Sequence, residues 1–185
     1  MVEATAAPAT GRLGRRALLS AILAVPLVVA CLAHFGLTAD GFLAAYFVTV
    51  LSVLTIIDLE ERRLPNVIVL PSFVLVLTVH LVLHPDRAVE WVIASVGAAL
   101  FLFLPTLLMP EGMAMGDFKL ALLLGAMLGW SVATAILVAS IAGALAAIGV
   151  LILRGAGARR QAFAFGPFLA LGGVVALFLG QLPSL

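Results

Sequence analysis

Seven apolar runs, at residues 17–36, 41–57, 67–84, 89–109, 118–130, 132–153 and 166–182, occupy almost all of this 185-residue chain. Few folds accommodate that pattern. A helix crossing the hydrocarbon of a bilayer needs about 20 apolar residues, with a usual range of roughly 17–25. Most of the runs meet that length. The 118–130 run is short, so it is expected to tilt, to thin the bilayer locally, or to enter without crossing. A mean hydropathy of +1.29, with only 10% of residues charged, excludes a water-soluble domain of this size. The expected fold is all-α: a polytopic membrane helix bundle of about seven transmembrane helices, or six if the short run does not cross.

Lysine and arginine give the expected orientation. With the N-terminus cytoplasmic, Arg12, Arg15, Arg16, Arg62, Arg63, Lys119, Arg154, Arg159 and Arg160 fall on the inner side and Arg87 alone falls outside. That distribution obeys the positive-inside rule, and Trp91 and Trp130 then sit at the outer interface, where indoles are favoured. Residues 1–16 are small, polar and basic, and read as a flexible cytosolic tail. Val28-Val29-Ala30-Cys31 has the look of a lipoprotein signal, but an ordinary first span is the default. The single cysteine, Cys31, excludes an internal disulfide and a cysteine-based zinc site. His34, His80 and His84 show no metal-ligand spacing. No metal, cofactor or nucleic-acid partner is expected.

Within this apolar chain two carboxylates stand at the rims of hydrophobic runs, and a charge beside lipid is costly. Asp58 ends the second run and Asp117 begins the fifth. The topology places both at the same depth on the cytoplasmic side. Two close carboxyls in a partly dehydrated site do not both ionise; one keeps a proton and they titrate together. Such a pair suits peptide hydrolysis as in aspartic proteases. The anionic member takes a proton from the attacking water. The neutral member hydrogen-bonds the developing oxyanion and then helps protonate the leaving amine. For a single Asp at a membrane edge, a helix end merely tolerated by water is the commoner explanation. Two at one rim reverse that preference.

The surrounding residues fit close approach of a peptide. Gly112 and Gly116 leave room beside Asp117. Pro65 breaks the chain after Glu60, Glu61, Arg62 and Arg63, and Asn66 is a candidate N-cap for the third span. Lys119 either favours ionised Asp117 or snorkels to lipid phosphates, with the second the blander reading. Glu60, Glu61 and Glu111 share that surface and offer charge to a basic substrate segment. Their plain explanation is solvated loop charge balanced by Arg62 and Arg63. His80, deep in the third span, reads first as a structural contact.

These phrases resemble the type IV prepilin peptidases. Asp58 followed by Leu64-Pro65-Asn66 looks like that family's first signature, and Gly112-Met113-Ala114-Met115-Gly116-Asp117-Phe118-Lys119-Leu120 resembles its second, Gly-x-Gly-Asp-hydrophobic-Lys-Leu. Phe165-Gly166-Pro167-Phe168-Leu169-Ala170-Leu171-Gly172 is similar to a third stretch that opens the last helix. The resemblance runs from about residue 41 to the end. It implies that residues 17–185 form a membrane-embedded aspartic peptidase domain of the bacterial inner membrane, with Asp58 and Asp117 catalytic. The implied substrates are prepilins or pseudopilins, whose short basic leader is removed at the cytoplasmic face. Ala114 departs from the family's first motif glycine. The cytosolic insert with two CxxC pairs, which longer members link to N-methylation, is not found here, so methyltransferase activity is not expected.

Other readings of the same residues stay open. A proton-coupled transporter would use the aspartates as a relay, although such proteins place coupling residues near the midplane and commonly repeat their halves. An inactive paralogue acting as a membrane scaffold is the reading that Ala114 favours. A presenilin-like protease is disfavoured, because Ile57 precedes Asp58 where a tyrosine is expected and no Pro-Ala-Leu follows.

Overall fold

A computed structural model describes residues 9–108, 116–154 and 164–180. Each apolar run becomes a helix: α1 (Ala9–Phe35), α2 (Ala39–Glu61), α3 (Asn66–Leu83), α4 (Ala88–Leu108), α5 (Asp117–Leu128), α6 (Val132–Arg154) and α7 (Gly166–Leu179). Short 3-10 turns at Pro85–Arg87 and Gly129–Ser131 join α3 to α4 and α5 to α6. Among the described residues there is no strand. α1 starts well before the apolar run at residue 17, so residues 9–16, expected in a flexible tail, are helical.

Five segments are long and apolar enough to cross a membrane: Gly14–Phe35, Ala39–Glu61, Asn66–Leu83, Pro85–Leu104 and Asp117–Leu153. The last contains both α5 and α6. The chain turns at Gly129, which has a φ of +54°. α6 then runs back alongside α7, with Ser131 beside Gly180 at one end and Gly143 beside Phe165 toward the other. α5, at 12 residues, spans about 18 Å by helical rise, well short of a hydrocarbon core of about 30 Å. It is surrounded by protein instead.

The burial pattern explains how a short helix holds that place. In α5, Asp117, Leu120, Ala121, Leu123, Leu124 and every residue from Gly125 to Leu128 are buried. Gly125 lies so close to α4 that a Cβ there would stand 2.4 Å from the Ser95 Cα. On another side the His80 Nδ1–H of α3 donates to the Ala126 carbonyl at 2.8 Å, and Gly173 of α7 meets Leu124 of α5 as well as Leu51 and Phe47 of α2. α2 is the second core helix, burying Ala44, Phe47, Val48, Leu51 and Leu54. Outward-facing Ile22, Val29, Val74, Phe101, Leu137 and Ile152 are exposed, an apolar surface suited to lipid rather than water.

Candidate active site

The buried face of α2 recurs every three or four residues through Ala44, Phe47, Leu51 and Leu54, and the next position in that series is Asp58. The helical period therefore carries a carboxylate into the core one turn before the helix ends. α5 does the same from the other direction, with Asp117 one turn before the buried pair Leu120 and Ala121. Each aspartate is only 3% exposed, and the charge of Asp58 is felt at Asp117. The fold thus brings together two acids that lie 59 positions apart.

The three phrases singled out in the sequence meet here. Leu64 packs on Gly116, where a Cβ would stand 2.8 Å from the leucine Cβ. Lys119 Nζ donates to Asn66 Oδ1 at 2.8 Å and lies over the Phe118 ring. Asn66 is not the N-cap of α3: Pro65 holds that position with extended backbone, while the Asn66 side chain accepts from Lys119. Lys119 therefore ties the starts of α3 and α5 together rather than snorkelling freely. α2 ends with Arg62 in the left-handed region, φ 52°, its N–H donating to the Asp58 carbonyl.

Glu60 and Glu61 are not balanced by Arg62 and Arg63 as expected. Both pair with Arg16 of α1, Glu60 through the arginine Nε and Glu61 through Nη2 at 2.8 Å. The helical extension of α1 makes this contact available. Glu111, Gly112 and Ala114 lie outside the described residues. His80 is wholly buried and stacks on Trp91 with ring centroids 4.2 Å apart, a packing contact far from the aspartates. Arg87, Glu90 and Trp130 gather with it at the opposite end of the bundle. Among the described residues, no three His, Cys, Asp or Glu side chains group closely enough to hold a metal ion.

The sequence names Gly166 only within the phrase that opens the last helix, with no role at the site. This glycine packs directly against Asp58, where a Cβ would stand 2.5 Å from Oδ2. The signal was present in the Gly166-Pro167 pair, which opens a helix without a side chain at its first residue.

A bundle of apolar helices, five segments of which are long enough to cross a bilayer, defines a polytopic helical membrane protein, here with two buried aspartates at one end. The Type IV leader peptidase family matches residues 45–148, and the chain belongs to that family. It is 34% identical over 182 residues to a prepilin leader peptidase/N-methyltransferase of Aeromonas hydrophila, covering 95% of this chain and 61% of that protein. Similar proteins of the same description occur in Legionella pneumophila (36% over 158 residues, 80% of this chain and 53% of the relative) and Pseudomonas putida (34% over 155 residues, 80% and 53%). The chain thus spans about half to three-fifths of the length of these curated relatives. No solved structure matches it.

Proposed function

We propose that this chain is a membrane aspartic endopeptidase that removes the short basic leader from type IV prepilins or pseudopilins. Asp58 and Asp117 activate water, and the bundle end that carries them faces the cytoplasm of the bacterial inner membrane. The observation that carries this reading is the burial of both acids, each 3% exposed, at the same end of the bundle. No described cation pairs with either carboxylate: Lys119 bonds Asn66 and Arg16 bonds the two glutamates. Unpaired buried carboxyls are retained for chemistry more readily than for stability. Their place at a bundle end, rather than midway along it, speaks against a transport relay. A prepilin presents its basic leader at the membrane surface, at the rim where these acids sit.

The test is co-expression with candidate prepilins. The parent chain is expected to give a shortened pilin with a new N-terminus. Asp58→Asn and Asp117→Asn are each expected to lower processing by at least about a hundredfold, the lower bound usual for loss of a general acid or base, while still inserting in the membrane. Full processing by either variant would rule out the acid pair. A parent chain that processes none of the candidate pilins would remove the peptidase reading.

A further inference from the structure

Glu60 and Glu61 end α2 less than a turn beyond Asp58, and both are already occupied. Resting on the peptidase reading above, we propose that these two glutamates are the seat for the basic leader of the substrate, that Arg16 fills the seat in the free protein, and that an incoming leader displaces it. The glutamates lie about 3–4.5 Å beyond Asp58 along the helix axis. A substrate whose apolar helix lies in the bilayer, with its scissile bond at Asp58, has its preceding residues at this last turn. The two side chains are 34% and 47% exposed, so an ion pair here exchanges at modest cost.

The present occupant has the form of a substrate. Arg15-Arg16 is followed at once by the apolar run of α1, the same order of basic residues and then apolar helix that a prepilin presents. Arg16 Nε meets Glu60 and its Nη2 meets Glu61 at 2.8 Å, so one guanidinium bridges both acids. Although Arg62 and Arg63 adjoin the glutamates in sequence, the described ion pairs of Glu60 and Glu61 are with Arg16 alone.

The front of α1 is held loosely enough to leave. From Ala17 to Leu23 no residue is buried. The rear is anchored, with Cys31 wholly buried and Leu27, Val28, Leu32 and Phe35 packed against the core. Pro26 lies between the two parts. It has no N–H for the Ile22 carbonyl, and a proline within a helix is where kinks concentrate. Arg16 supplies the described polar ties from the front of α1 to the rest of the bundle. Displacing that one side chain frees the front to swing about Pro26 while the rear stays in place.

Two substrates isolate charge recognition: a prepilin with its basic leader, and a twin whose leader lysines and arginines are glutamine. The full chain is assayed in phosphatidylcholine nanodiscs, which offer the leader no anionic lipid. In Arg16→Gln the preference for the basic prepilin, as the ratio of the two kcat/KM values, is expected to rise by about fivefold through KM, the ceiling for a solvated ion pair. In Glu60→Gln/Glu61→Gln it is expected to fall by a similar factor, and adding Arg16→Gln is expected to restore none of it. A preference that stays or falls in folded Arg16→Gln, or that survives loss of both glutamates, overturns the proposal.

Displacement is read without turnover. In a Cys31→Ala background, spin labels introduced through Arg15→Cys and Arg63→Cys, both at exposed positions, report the distance from the front of α1 to the end of α2. The basic prepilin is expected to lengthen that distance and the twin to leave it. No lengthening removes Arg16 as a displaced occupant, and this measurement decides if Arg16→Gln does not fold. A chain that shows the displacement but cuts no prepilin sinks the peptidase reading and leaves the seat standing. One that cuts both substrates alike, with no displacement, does the reverse.

Discussion

Asn66 and Lys119 are 53 positions apart, and their 2.8 Å hydrogen bond joins the first residue of α3 to the first turn of the helix that Asp117 opens. A double-mutant cycle with Lys119→Met and Asn66→Ala is expected to give a coupling of about 1 kcal/mol, ordinary for a partly solvated hydrogen bond. Thermal unfolding in detergent measures it. Coupling near zero would return Lys119 to a free lipid-facing charge. Arg62 presents a different residue-scale effect. It takes left-handed backbone at the end of α2, a conformation that costs an L-residue roughly 1–2 kcal/mol. Arg62→Gly is expected to stabilise the fold by about 0.5–1 kcal/mol, less than the full strain because glycine also loosens the unfolded chain. A lower melting temperature would show that the arginine side chain outweighs its backbone. Neither contact is written in the local sequence: Arg62 offers no glycine to mark the helix end, and the Lys119–Asn66 bond exists only once α3 and α5 are side by side.

Helices rather than single contacts set the depth of the two acids. α4 and α5 approach so closely at Gly125 that a Cβ would stand 2.4 Å from the Ser95 Cα and 2.6 Å from the Ala94 carbonyl oxygen. These are backbone atoms and cannot rotate away. Gly125→Val is therefore expected to cost about 1–3 kcal/mol, the usual penalty of overpacking, and to displace α5 along with Asp117. Loss of melting temperature and of prepilin processing together would fit that account. A variant as stable as the parent would mean that the helices separate freely. The existence and order of all the helices were legible from apolar run length, and the buried phase of α2 was legible from its three-to-four-residue period. The start of α1 was not, because Arg15 and Arg16 look like tail until Glu60 and Glu61 are placed beside Arg16. The shortness of α5 was visible as an anomaly at 118–130. Its cause, enclosure chiefly by α3, α4 and α7 in place of lipid, is a tertiary fact.

At the scale of the whole molecule the bundle has two unlike ends. One holds Asp58, Asp117, Lys119, Arg16 and the αL turn at Arg62. The other holds the Arg87–Glu90 ion pair with Trp91 and Trp130. The proposed chemistry requires the first end to face the cytoplasm, where a basic leader resides, and the distribution of arginine favours that orientation. A cysteine scan decides it with few variants. Cys31 is wholly buried, so Cys31→Ala supplies a thiol-free background into which Arg63→Cys and Asp86→Cys are introduced at exposed positions of opposite ends. With a membrane-impermeant maleimide, Arg63→Cys is expected to label in inverted vesicles and Asp86→Cys in right-side-out ones. The opposite pattern would put the acid pair outside the cell membrane, away from any uncleaved leader. Both acids would then keep their geometry but lose access to the substrate that gives this geometry a purpose.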